Sequence, residues 1–208
     1  MPSRVLSIGM APSVIFSSLT LPRKVLVCGD HASELATRII SRTVCRGRQV
    51  RFICGDNRFD PYAVARFAKQ HKRRPQDALR SILIARAFTA YQLAELVNRL
   101  DPASPSHGVT IISGPCSLFL DEGLRMVEAA RRFYRMLWRL VELSRSGMPL
   151  LLAQGPVPPN TRRAYFFTDL CRAADIILRY DALHTFTLEY GGRMSLALLK
   201  ASDPTTEE

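Results

Sequence analysis

Val25-Leu26-Val27-Cys28-Gly29-Asp30-His31-Ala32-Ser33-Glu34-Leu35-Ala36-Thr37-Arg38-Ile39-Ile40 is the stretch whose reading decides the fold. An apolar, strand-like run, Val25 to Cys28, reaches a lone Gly29. Small and polar residues then make a turn, and apolar positions return at Leu35, Ile39 and Ile40, the spacing of a helix. A strand feeding a glycine turn and a helix is the layout in which phosphate loops occur. The chemistry of such a loop is missing. Counted from Gly29, the second glycine, the lysine and the hydroxyl residue of the signature fall at Glu34, Leu35 and Ala36. A carboxylate repels phosphate, and a leucine places no cation on the β/γ oxygens. The degenerate loop Gly29-Asp30-His31-Ala32-Ser33-Glu34-Leu35-Ala36 therefore predicts a nucleotide-binding type of fold that has lost its nucleotide, with neither ATP nor Mg²⁺ as a cofactor.

Working outward, Arg46-Gly47-Arg48 closes the first helix with a glycine where a C-cap belongs. Val50 to Cys54 reads as a second strand, followed by the turn-rich Gly55-Asp56-Asn57-Arg58-Phe59, and Asp60-Pro61 suits a helix start. Lys69 to Arg74 reads as a solvated basic loop ended by Pro75. Ser81 to Ala87 is a third strand, Ala90 to Leu100 a helix, and Asp101 to Gly108 a Pro/Ser-rich linker. Val109 to Ile112 is a fourth strand. Leu124 to Ser144 is the longest helix, with Val127, Ala130, Tyr134, Leu137, Trp138 and Val141 assigned to its core-facing stripe. Pro149 to Ala153, Ile176 to Arg179 and Thr185 to Tyr190 continue the strands, and Gly191-Gly192 joins the last of these to Ser195–Leu199 as a hairpin. Strands alternating with helices predict a mostly parallel central sheet flanked by helices, with an antiparallel C-terminal hairpin. Residues 1–22 form an extension or early strand, 23–200 the core domain and 201–208 a disordered acidic tail.

The chain has 208 residues, 47% hydrophobic and 23% charged, enough for one globular domain with its own core. Its formal net charge of +11 favours polyanions, most often nucleic acid. The five cysteines form neither a CxxC pair nor a metal spacing and read as reduced. His31, His71, His107 and His184 are scattered, so no catalytic triad or metal cluster is expected. No stretch is long and apolar enough to span a bilayer, and the tract before Pro22 is too interrupted for a secretion signal. The expected location is the cytoplasm or nucleus, with DNA.

Two strings give these elements a family likeness. Phe52-Ile53-Cys54-Gly55-Asp56-Asn57-Arg58-Phe59-Asp60-Pro61 is similar to the second strand of the RecA-like recombinases in their eukaryotic and archaeal branch. Ile84-Ala85-Arg86-Ala87-Phe88-Thr89-Ala90-Tyr91-Gln92-Leu93 resembles that branch's Ala-Arg-Ala stretch, at a matching separation. The resemblance spans roughly Val25 to Leu199 and implies a RecA-like, P-loop-type fold. It places the family's catalytic glutamate on Asp56, one methylene shorter. Its Mg²⁺-associated aspartate falls on the neutral Ser113, and its γ-phosphate-sensing glutamine on Gln154. With the loop failing at Glu34, Leu35 and Ala36, Asp56 and Gln154 are expected to be vestigial and the chain not to be an enzyme. A structural reading of Gln154, bonding local backbone at a strand end, stays open.

The same resemblance places two DNA loops after the fourth and fifth strands. Ser117 to Gly123 is short and acidic; Gly155 to Phe167 offers Arg162 and Arg163 beside Tyr165, the cation–aromatic chemistry that holds single strands. Arg131 and Arg135 on the long helix extend the candidate DNA-binding set, while Tyr134 and Trp138 are assigned to the core. The expectation is a non-catalytic accessory protein of homologous recombination and repair. It binds single-stranded DNA, a RecA-fold recombinase or paralogue subunit, or both, and no membrane, as a possible homo- or hetero-oligomer. An ATPase holding nucleotide on the Gly29–Ser33 amides with Asp56 activating water, and a protein-only scaffold, remain as alternatives.

Overall fold

A computed structural model describes residues 4–6, 24–103, 108–180 and 186–190. In chain order these form β1 (Arg4–Leu6), β2 (Lys24–Gly29), α1 (Ala32–Cys45), β3 (Val50–Cys54), α2 (Pro61–Gln70), α3 (Pro75–Arg80) and β4 (Ile82–Arg86). There follow α4 (Ala90–Asn98), β5 (Val109–Ser113), a single 3₁₀ turn (Ser117–Phe119), α5 (Met126–Arg145), β6 (Leu150–Gln154), α6 (Tyr165–Ala173), β7 (Ile176–Tyr180) and β8 (Phe186–Tyr190). The sheet runs β1-β8-β7-β2-β6-β5-β3-β4. Its six strands from β7 to β4 are all parallel, and β8 and β1 continue it antiparallel. This is the mixed α/β architecture of the Rossmann-like and P-loop-like folds, as the alternation of strands and helices predicts. Ser195–Leu199 and its Gly191-Gly192 turn, residues 7–22, His107, His184 and the tail 201–208 lie outside the described residues.

Burial on both faces explains why β2 reads as an unbroken apolar run. Val25 and Val27 enter one core with α1, α2 and α3. Leu26 and Cys28 enter a second core with α4, α5 and α6, as the period-2 alternation of a strand requires. The chain steps outward from β2 to β3 and β4, then back through β5 and β6. The connections leaving β3 and β5 thus diverge, and the crevice between those strand ends is the topological switch point where α/β folds hold ligands. At the far end of β2, Lys24 is buried: its Nζ pairs with Asp175 at 3.0 Å and its backbone N–H donates to the same carboxylate at 2.8 Å. Asp60 caps α2 by accepting from the Ala63 amide at 3.0 Å, with Pro61 at the first helical position, as its sequence signals. Gly47 follows α1 at φ +78°, the left-handed conformation expected past a helix end.

Two expectations need correction. The basic run 69–74 is not all loop: Lys69 and Gln70 complete α2, and Pro75 then starts a one-and-a-half-turn helix, α3, with Ala78 buried. More consequential is the register of α5. Its buried stripe is Ala129, Phe133, Met136, Leu140 and Leu143, packed so that Phe133 meets Phe119 edge-on at 5.3 Å and Phe166 at 4.4 Å. Of the stripe assigned from the sequence, Val127 (82%), Trp138 (67%) and Tyr134 face outward, while Ala130 and Leu137 border the core. Both stripes have the 3-4 spacing of a helical face, so periodicity alone does not choose between them. The sheet does, because it takes the stripe whose side chains fill the space beside Phe119 and Phe166.

Candidate functional site

The strand ends are closed by their own side chains. Gly29 ends β2 at φ +120°, and after Asp30 and His31 the helix α1 has already begun. Glu34, Leu35 and Ala36 therefore lie within the helix and form no loop. Leu35 and Ala36 are buried in the core. Glu34 sits in the first helical turn, where its carboxylate suits the helix dipole, and pairs with Arg38 at 2.9 Å and with the His31 ring at 3.2 Å. Ser33 turns inward and donates to Asp56 Oδ2 at 3.0 Å.

Asp56 is a junction of three elements. Its Oδ1 accepts from the Ser113 hydroxyl at 2.6 Å and from the Arg58 amide at 3.1 Å, with Cys54 Sγ at 3.6 Å. The carboxylate thus ties the first turn of α1 to the ends of β3 and β5, and both of its oxygens are engaged. Two glycines permit this approach. The Gly55 amide donates to the Ser113 carbonyl at 2.8 Å. Gly114, at φ +64°, lies so close that an added Cβ would stand 2.6 Å from the Asp56 Cβ. Gln154, buried at the end of β6, accepts from the Cys116 amide at 2.8 Å and donates to the Gly155 carbonyl at 3.1 Å. Its side chain holds the turn after β5, the local structural role left open above. Beside these groups lies a shallow cleft of ≈ 380 Å³ bordered by Asp56, Arg58, Phe88, Ser117 and Pro156. Among the described residues no cluster of His, Cys, Asp or Glu could hold a metal ion. Nor is any helix there long and apolar enough to cross a membrane.

The two loops expected to contact DNA are joined to each other by Arg163. That residue is 4% exposed. Its guanidinium donates to the carbonyls of Phe119 (3.0 Å), Asp121 and Leu124, clamping the loop between β5 and α5. A buried cation spent on backbone carbonyls contacts no phosphate, so Arg163 leaves the DNA-binding set. Tyr165 is half-buried, its ring 4.4 Å from that of Phe166 and its hydroxyl against Met126 Sδ at 3.1 Å. Arg162, Arg131 and Arg135 are exposed.

On α5 the structure brings together residues that the sequence separated. Arg131 and Arg135 lie on the outward face with Tyr134 and Trp138, alternating cation and aromatic along the helix. Two other arginines hold α5 to α4 and the residues just after it: Arg132 stacks on the Tyr91 ring at 4.4 Å, and Arg139 donates to the Leu100 carbonyl at 2.8 Å. Tyr134 is fixed by its hydrogen bond to Asp169 at 2.7 Å, and that bond pushes its pKa up to about 12. Tyr134 and Trp138 share the 3-4 spacing of the buried stripe, so two overlapping apolar stripes on one helix are the sequence signal that part of one faces outward. At the other edge of the sheet, Leu83 and Ile84 of β4 are 49% and 42% exposed, and Phe88 follows them. Among the described residues no strand pairs with the outer edge of β4.

No protein-family model matches the chain, and no curated protein is similar to it at a significant level.

Proposed function

We propose that the chain is a non-catalytic accessory protein with a RecA-like fold, acting in homologous recombination and DNA repair. In this reading it binds single-stranded DNA along α5 and engages a RecA-fold recombinase or paralogue subunit, without hydrolysing ATP. The observation that carries the reading is the outward ridge of α5, where Arg131 and Arg135 alternate with Tyr134 and Trp138. Arginines neutralise backbone phosphates while aromatic faces stack on bases of any sequence, which is how single strands are held without base readout. Arg162 and the net charge of +11 add to the attraction. The absence of hydrolysis is supported by Asp56, whose oxygens are taken by Ser33 and Ser113, and by Leu35 standing in the core where a phosphate lysine would be needed. The short RecA-like strings around Asp56 and Ala87 support the family and the pathway.

The open edge of β4 favours a second reading, a protein-only scaffold. An unpaired strand carrying Leu83 and Ile84, with Phe88 just beyond, is a surface for adding a partner's strand.

The test is a fluorescence-anisotropy titration of labelled oligo(dT) over a salt series, with and without Mg²⁺-ATP. Trp138 is the single tryptophan of the chain, so its quenching reports stacking directly. Salt-sensitive binding that is indifferent to ATP is expected, with Trp138→Ala losing about tenfold or more, from a stacking energy of about 1–3 kcal/mol. A requirement for ATP would overturn the nucleotide-free reading, and no binding at low salt would leave the scaffold.

A further inference from the structure

Six exposed cations gather at the end of the sheet opposite Asp56. Helices α1 and α2 each return antiparallel to the strand before them, and they pack side by side. Their C-termini therefore emerge together where the strands begin. Just past α1 lie Arg46 and Arg48, Lys69 stands in the last turn of α2, and the α2–α3 turn adds Lys72, Arg73 and Arg74, all exposed. Lys72, at φ +54°, makes that turn tight, and the Arg73 amide returns to the Ala68 carbonyl at 2.9 Å. The two segments are neighbours, because α1 packs against both α2 and α3, and the Cys45 thiol, raised by burial, also feels the opposing charge of Arg73. Across 42–49 and 69–81 the one carboxylate is Asp77. Among the described residues no ion pair joins Lys69, Lys72, Arg73 or Arg74 to a carboxylate. A helix C-terminus favours a cation or two in its last turn, but six cations over two adjacent ends exceed that need.

The patch also differs in kind from the ridge on α5. Neither segment, 42–49 or 69–81, carries a Phe, Tyr or Trp, and the neighbouring Phe67 is half-buried and stacked on His71 at 4.0 Å. Nor does either segment carry an exposed large apolar side chain that could enter a bilayer. Charge without stacking or insertion fits a partner whose phosphates are outward and whose bases are already stacked. We propose that this basic end is a second nucleic-acid surface that tracks the phosphate backbone of a duplex, separate from the single-strand ridge and independent of it.

Lys72→Ala/Arg73→Ala/Arg74→Ala tests this in the full chain, beside a charge-matched control, Arg38→Ala/Arg66→Ala/Arg99→Ala, taken from exposed positions elsewhere. Anisotropy with a blunt hairpin duplex should show at least tenfold weaker binding for the patch variant and less than about threefold for the control. The slope of log K against log salt should fall by about two to three in the patch variant alone. Trp138 quenching by oligo(dT) should be the same in both, so failure of the ridge and failure of the patch are read separately. Equal losses in the two triple variants would overturn the proposal by assigning binding to net charge. So would absence of duplex binding at low salt, or stronger patch-dependent binding to vesicles containing phosphatidylserine than to the duplex. Unchanged melting temperatures confirm that both variants are folded, and the equivalent charge reversal, Lys72→Glu/Arg74→Glu, must deepen the loss of duplex binding if the patch is the contact.

Discussion

Replacing Arg163 by alanine separates a clamp from a DNA contact. The guanidinium is buried and holds three carbonyls, those of Phe119, Asp121 and Leu124. Hydrogen bonds from a charged donor contribute about 1.5–3 kcal/mol each, which would suggest a very large loss if simply summed. Asp121, Glu122 and Gly123 are exposed, however, so the carbonyls on that side regain water when the guanidinium is removed. The Phe119 carbonyl lies beside the Phe119–Phe133–Phe166 cluster and stays dry. One dry, unpaired acceptor costs about 1–3 kcal/mol, and the lost packing of the arginine stem adds about 1 kcal/mol more. Arg163→Ala is therefore expected to destabilise by about 3 kcal/mol. With a urea slope of about 2–3 kcal/mol/M, the midpoint falls by about 1–1.5 M. Arg163→Lys should fall between, since an ammonium keeps the charge but cannot fork to three acceptors. Arg162→Ala, at the exposed neighbour, should stay within about 0.5 kcal/mol of the parent. Equilibrium urea unfolding followed by circular dichroism measures all three. A normal midpoint for Arg163→Ala together with weakened single-strand binding would refute the clamp and restore the residue to the DNA interface.

Two further outcomes follow from the geometry. Gly114→Ala places a Cβ 2.6 Å from the Asp56 Cβ and 2.8 Å from its amide at a positive φ, and should cost about 2–4 kcal/mol in urea unfolding. Gly47→Ala, with φ also positive but open space around it, should cost only about 1 kcal/mol; equal losses would mean the strand ends are not held tightly by Asp56. Tyr134 has its pKa raised from 10 to about 12, so its hydrogen bond to Asp169 contributes fully below pH 10 and is lost as the pH climbs through 12. Absorbance titration of tyrosinate should show a late-ionising component from Tyr134 beside that of Tyr91, which a hydrogen bond to Glu128 also raises. The component that remains in Tyr91→Phe should vanish when Tyr134→Phe is added and shift down when Asp169→Asn is added; its survival in Tyr91→Phe/Tyr134→Phe would refute the assignment.

The sequence by itself determined the layers. The unbroken apolar run at Val25–Cys28, the Asp60-Pro61 start and Gly47 after α1 are local signals, and local signals fix elements because backbone geometry and burial on both faces act over a few residues. It also determined that the chemistry after Gly29 is not that of a phosphate loop, since Glu34, Leu35 and Ala36 are the wrong groups in any conformation. Tertiary structure alone decided three things. It chose the buried stripe of α5, because that depends on which side chains fit against Phe119 and Phe166, which lie outside the helix on either side of it in the chain. It turned Arg163 inward, because the carbonyls it satisfies belong to a loop 39 to 44 residues earlier. And it gathered the cations of α1 and the α2–α3 turn at one end of the sheet, because two helices returning over parallel strands must end at the same edge. Periodicity says that a helix has a face; only the neighbours packed against it decide which face looks out.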